Sequence, residues 1–94
     1  MKRLLIMLAM VAAAQTWTGS GSRSIGGITK SRAWKITYGC TNGSGVIGVT
    51  VYQGEDIIEV TSSTDGEEQS TDIEKTGTFR LSVTSTCRWK LTVE

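Results

Sequence analysis

The sequence has 94 residues, with ten Lys and Arg, nine Asp and Glu, two cysteines, no proline and no histidine. That length allows one domain, and a formal charge of +1 is not the balance of a nucleic-acid-binding protein. Without histidine, neither a Ser-His-Asp nor a Cys-His arrangement can exist, nor a histidine metal site.

Lys2 and Arg3 precede an apolar run from Leu4 to Val11, and Ala12-x-Ala14 sets small residues where a signal peptidase reads. This is the pattern of a cleaved secretion signal over 1–14, with a single domain over 15–94. Even counted through Ala14, the stretch from Leu4 spans 11 residues, well short of the roughly 20 that cross a bilayer. No membrane span is therefore expected after cleavage, and the product is expected to be secreted, extracellular or periplasmic. Without Lys2 and Arg3, eight bases face nine acids. They are segregated: residues 15–52 hold Arg23, Lys30, Arg32 and Lys35 and no acid, whereas 53–74 hold eight acids and no base.

From Gln15 to Arg32 the chain is rich in Gly, Ser and Thr, with Trp17, Ile25 and Ile28 as its large apolar side chains. The pattern predicts a loosely ordered edge segment: a short strand at Thr16-Trp17-Thr18, a turn at Gly19-x-Gly21 and a second strand around Ser24 to Thr29. Ala33 to Cys40 alternates cleanly, with Trp34, Ile36 and Tyr38 inward and Lys35 and Thr37 outward. Asn42-Gly43 reads as a type I′ hairpin turn. Val46 to Gln53 then places Ile47, Val49 and Val51 inside. After a turn at Gly54-Glu55-Asp56, Ile57 to Ser62 is a strand with Ile58 and Val60 as its inward pair. A turn centred on Asp65-Gly66 leads to a strand over Gln69 to Lys75, anchored by Ile73. Phe79, Leu81 and Val83 share one parity, and Cys87, Trp89, Leu91 and Val93 share one again. Ser85 and Thr86 interrupt that run where a turn would fold it into a closing hairpin. Seven or eight short strands without a helical period predict an all-β antiparallel sandwich, of jelly-roll or immunoglobulin-like type.

A domain this small buries little surface, and secreted domains of this size commonly use disulfides to compensate. Cys40 and Cys87 share parity with core residues and allow one intramolecular pairing. Closing that loop stabilises by about 4 kcal/mol at most in the chain-entropy model.

No residue pattern names a catalyst, so no enzymatic activity is expected. The acidic tract 55–74 offers Glu55, Asp56, Glu59, Asp65, Glu67, Glu68, Asp72 and Glu74 as oxygen ligands for calcium. Its spacing matches no EF-hand loop, and acids in loops are ordinarily solvated surface, so no cofactor or metal is expected. Asn42-Gly43-Ser44 fits the glycosylation pattern, but a turn explains it as well. On the outward parity lie Lys35, Arg80, Arg88 and Lys90, which antiparallel neighbours could gather into one basic face for the phosphate or sulfate groups of a polyanion. Outward Lys and Arg also serve simply to guard sheet edges. Tyr52, outward, is a candidate for stacking on a sugar. Trp17 is another, although a core position suits it better.

The stretches Trp17-x-Gly19-x-Gly21, Trp34-x-Ile36-x-Tyr38-x-Cys40, Gly77-x-Phe79-x-Leu81-x-Val83 and Cys87-x-Trp89-x-Leu91-x-Val93 together resemble small secreted bacterial β-sandwich modules of hypothetical-protein type. They are also loosely similar to jelly-roll modules appended to secreted peptidases. The resemblance implies the sandwich fold and a binding role, and it carries over no catalytic residue. The expected function is a secreted, non-enzymatic binding or interaction module, for a cell-surface polymer, polyanion or glycan. The alternative is an inhibitor or effector that docks on a protein partner.

Overall fold

The computed structural model describes residues 14–94, so the expected secretion signal, but for Ala14, lies outside the described residues. Eight strands follow one another: β1 (Gln15–Ser20), β2 (Arg23–Lys30), β3 (Trp34–Cys40), β4 (Ile47–Gln53), β5 (Asp56–Ser63), β6 (Gln69–Ile73), β7 (Gly77–Ser85) and β8 (Arg88–Val93). They form two antiparallel four-stranded sheets. The front sheet has the order β1-β8-β3-β6 and the back sheet β2-β7-β4-β5. This pairing of eight strands in two sheets is the jelly roll, and it decides between the two sandwich types that the sequence allowed.

Alternation of apolar and polar residues sends one set of side chains from each sheet into a shared core. Trp34, Ile36, Tyr38, Trp89, Leu91 and Val93 enter from the front sheet, and Ile47, Val49, Val51, Phe79, Leu81 and Val83 from the back. Ile25, Ile28 and Ile73 close the flanks, and Trp17 and Ile58 pack partly buried against the same cluster. Each buried indole nitrogen finds an acceptor: Trp89 donates to the Gly21 carbonyl at 3.0 Å and Trp34 to the Lys75 carbonyl at 3.1 Å. Tyr38 reaches across the core to hydrogen-bond Thr61, which in turn lies 3.1 Å from the Thr71 hydroxyl.

Two expected hairpins are instead crossovers between sheets. Asn42-Gly43 connects β3 in the front sheet to β4 in the back. Of Asn42 and Gly43 only Gly43 has positive φ, at 77°, and it donates to the Cys40 carbonyl at 3.1 Å. Glycine at the fourth position of a turn is type I chemistry, whereas a type I′ turn needs positive φ at both central residues. Ser85-Thr86 likewise joins β7 in the back sheet to β8 in the front. The one hairpin between sequence neighbours is β4–β5, where Gln53 faces Asp56 and Gly54, at φ 65°, opens the two-residue turn.

Val60 is not in the core. Val51 faces Glu59 while Tyr52 faces Ile57, so β5 carries one extra residue at Ile58. A bulge of one residue exchanges the faces of a strand. Thr61 and Ser63 turn inward, and Ile57 and Val60 stand 59% and 66% exposed.

The crossovers β1–β2, β3–β4, β5–β6 and β7–β8 all lie at one pole, as the pairs Ser20 with Arg88, Cys40 with Trp89, and Ile47 with both Ser63 and Ser85 require. The Cys40–Cys87 disulfide, with Cα atoms 5.8 Å apart, joins the second of these crossovers to the fourth. Removing it with Cys40→Ala and Cys87→Ala together is expected to cost about 2–4 kcal/mol in urea unfolding. Gly19 admits the Trp89 ring: a Cβ there would stand 2.7 Å from Trp89 Cζ2. Gly19→Ala should cost about 1–3 kcal/mol by the same assay. Gly26→Ala, where a Cβ meets nothing within 4 Å, should shift stability by less than about 0.5 kcal/mol.

Candidate functional site

The outer face of the front sheet is a grid set by strand register. Its first row pairs Ser20 of β1 with Arg88 of β8, whose carbonyl accepts the Thr41 N–H at 2.8 Å. Its second aligns Thr18, Lys90 and Gly39, and its third aligns Thr16, Thr92, Thr37 and Ser70 across all four strands. Hydroxyls of the third row lie within hydrogen-bond distance, at 3.2 Å for Thr16 and Thr92 and 3.0 Å for Thr37 and Ser70. At the far end Lys35 faces Asp72 and pairs with Glu94 at 3.6 Å.

The sequence-derived basic set therefore divides. Lys35, Arg88 and Lys90 share the front face, but Lys35 is held at the acidic end by Glu94, the one ion pair among the described residues. Arg80 lies on β7, on the outer face of the back sheet, with its guanidinium carbon 4.1 Å from the centre of the Tyr52 ring. One face of that ring is thus covered by a cation, a contact worth about 0.5–1 kcal/mol at an exposed site. Arg23, on β2 of the back sheet, reaches the edge strand of the front sheet. Leaving the first crossover, its side chain donates to the Thr18 carbonyl at 3.1 Å, on the residue that pairs with Lys90. The sequence offered no sign of this contact, because it depends on β1 and β2 belonging to different sheets.

Two shallow depressions flank these cations and share Thr41. One, of ≈ 390 Å³, is lined by Thr18, Gly19, Ser20, Arg88 and Trp89. The other, of ≈ 310 Å³, lies beside Lys90 where Gly39 presents no side chain, with Glu68 on its rim. Gly39 is required by the close passage of the chain, since a Cβ there would come 2.9 Å from the Glu68 Cα. A third depression, of ≈ 500 Å³, sits at the opposite end among Lys35, Asp72, Glu74 and Glu94, with its single cation already paired. The first two hollows are open to solvent and lined by cations, hydroxyls and backbone.

Among the described residues, no buried side-chain nitrogen or oxygen lacks a partner, and no three acids or cysteines converge as a metal-binding group. One acid of the tract, Asp65, shapes its own turn. Asp65 accepts the Glu67 N–H at 3.0 Å, and the Ser63 hydroxyl lies 3.1 Å from the same oxygen. These two donors, the backbone amide first, hold the Asp65 carboxyl below its ordinary range.

The class these observations define is a disulfide-bridged jelly-roll module with shallow surface hollows. No protein-family model matches the sequence, and no curated protein matches it significantly. Among solved structures, the pre-peptidase C-terminal domain of a collagenase from Bacillus anthracis is similar, with a TM-score of 0.61 at 13% identity over 85% of this chain and 88% of that one. A structure of disulfide-linked pili that form Bacillus endospore appendages is also similar, with a TM-score of 0.50 at 14% identity over 86% and 80% of the two chains. At such identities the likeness is one of fold, and it agrees with the resemblance to peptidase-appended modules drawn from the sequence. No helix among the described residues is long and apolar enough to cross a membrane.

In an NMR titration the Asp65 carboxyl is expected to have a midpoint below the ordinary aspartate value. Because its folded-state value is depressed, its contribution to stability is present above the ordinary carboxylate range and lost as the pH falls through the depressed value. Asp65→Asn should remove that component of the acid dependence.

Proposed function

We propose that this chain is a secreted, non-catalytic module that binds an anionic cell-surface polymer or glycan at the β1–β8 corner of its front sheet. The observation that carries the reading is the placement of Arg88 and Lys90 on one face of β8, with Arg23 reaching the adjoining strand and, among the described residues, no ion pair made by any of the three. Sulfate, phosphate or carboxylate groups spaced along a polymer would meet these cations, and the hydroxyls of Thr18, Ser20 and Thr41 would meet its sugar oxygens. Secretion is supported by the disulfide, which persists in oxidising compartments. The absence of histidine and the shallowness of the hollows support the non-catalytic part. The collagenase domain named above lends the reading only its fold.

A second reading, an inhibitor or effector that docks on a protein partner, is favoured by a different observation. The free edge strand β5 exposes Ile57 and Val60, and an extended segment could add to that edge.

Retention on immobilised heparin and on a neutral polysaccharide, at low and high salt, tests the first reading. The oxidised chain should bind the anionic matrix at low salt and release as salt is raised. Arg88→Glu with Lys90→Glu should weaken retention by roughly tenfold or more, with Arg80→Glu nearly neutral. Salt-independent binding, or binding that survives the double reversal, would sink the anionic-site reading and favour the second.

A further inference from the structure

The charge segregation of the sequence becomes spatial in the fold. The strands β1 and β2 form one lateral edge of the sandwich, and β5 and β6 form the other. Arg23, Lys30 and Arg32 lie on β2 and the turn after it, and no acid lies between 15 and 52. Glu55, Asp56 and Glu59 lie on β5 and the turn before it, and Asp72 and Glu74 on β6 and just beyond. One edge is basic and the opposite edge acidic.

Among the described residues no strand pairs with the outer side of either edge of the back sheet, and the strands there match. Each has eight residues, Arg23–Lys30 and Asp56–Ser63. Because the four strands alternate in direction, the first and last run antiparallel to each other. A second copy, shifted sideways without being turned over, would therefore present its β5 antiparallel to β2. Aligned end to end, the two strands set Lys30 opposite Asp56, Ile28 opposite Ile58 and Ile25 opposite Thr61. The same alignment sets Gly26 opposite Val60, Thr29 opposite Ile57 and Ser24 opposite Ser62.

The faces agree at five of the eight positions, with Arg23 exposed opposite the buried Ser63 at one end. Ile25 and Ile28 are buried, and Ile58 and Thr61 turn toward the core, whereas Ser24, Gly26, Thr29, Ile57, Val60 and Ser62 are all exposed. Agreement holds on both sides of the central irregularity because each strand carries one, β2 between Ile25 and Ile28 and β5 at Ile58. Space is available for the exposed valine, since a Cβ on Gly26 would meet nothing within 4 Å.

We propose that this chain self-associates head to tail, with the basic β2 edge of one copy pairing with the acidic β5 edge of the next. The back sheet then runs on from copy to copy, Ile57 and Val60 are covered, and the opposed charges choose the edge and the register. The two surfaces differ, so the contact is heterologous and leaves a free edge at each end of the growing array. The front-face cations Arg88 and Lys90 lie on a central strand of the other sheet and take no part.

Light scattering and sedimentation equilibrium of the oxidised chain, as secreted, test this. At low salt the average mass should rise with concentration, and it should fall as salt is added. Lys30→Glu with Arg32→Glu reverses the charge that faces Glu55 and Asp56 in this alignment, and Glu55→Lys with Asp56→Lys reverses the charge that faces Lys30 and Arg32. Each pair should leave a folded monomer by tryptophan fluorescence and weaken association by about tenfold or more. Mixing the two variants should restore it, because each then finds a complementary edge on the other. Val60→Lys should also favour the monomer. A wild-type chain that stays monomeric at low salt across the concentration range would overturn the proposal. So would association that both double reversals leave unchanged, or a mixture that remains monomeric.

Discussion

Four of the chain crossings between the two sheets gather at one pole, and the Cys40–Cys87 bond is the covalent tie among them. It links the β3–β4 crossing to the β7–β8 crossing. The Cys40 N–H then donates to the Gly66 carbonyl at 3.0 Å, which brings in the β5–β6 crossing, and the Trp89 indole donates to Gly21 of the β1–β2 crossing. Thr86 closes the set, its N–H donating to the Val46 carbonyl at 2.9 Å and its hydroxyl accepting from the Val46 N–H at 3.0 Å. Glycines stand where these crossings touch. A Cβ on Gly45 would come 2.8 Å from the Cys87 Cβ, and one on Gly66 would come 2.7 Å from the Ser44 backbone.

This arrangement matters because only β4 and β5 pair as neighbours in sequence. Every other strand finds its partners far along the chain: β1 pairs with β8, β2 with β7, and β3 with β6 and β8. A fold made of such distant pairings must close large loops before any pairing repays the entropy, which slows folding. The disulfide removes part of that cost in advance by restricting the unfolded chain.

The fold class and nearly all of the core were legible, because a period of two is a local property. Trp34, Ile36, Tyr38, Phe79, Leu81, Trp89 and Leu91 were all placed correctly by parity alone. What local pattern does not carry is the destination of a turn. Asn42-Gly43 and Ser85-Thr86 have turn chemistry whether the chain returns to the same sheet or passes to the other, so both read as hairpins. Val60 was misplaced for a related reason. The bulge at Ile58 inverts parity, and nothing in Ile57-Ile58-Glu59-Val60 marks which residue is extra. The same blindness to sheet membership put Arg80 beside Arg88 and Lys90 in the reading of the basic face, and left Arg23 out of it. Charge separation along the chain was plain from the sequence, but its meaning required knowing that β1 and β2 share one edge and β5 and β6 the other.

The register of the first and last strands also fixes where the chain enters and leaves. Gln15 of β1 faces Val93 of β8, at the pole away from the disulfide and from Arg88. Residues 15 and 93 are thus neighbours across a single strand pair, and a linker of a few residues would join them without strain. The chain could then be reopened at Gly54-Glu55, the exposed tip of its one local hairpin, to give a circular permutant with an intact crossover pole. Such a rearranged chain would separate two roles now held by one sequence, the order in which strands are synthesised and the order in which they pack.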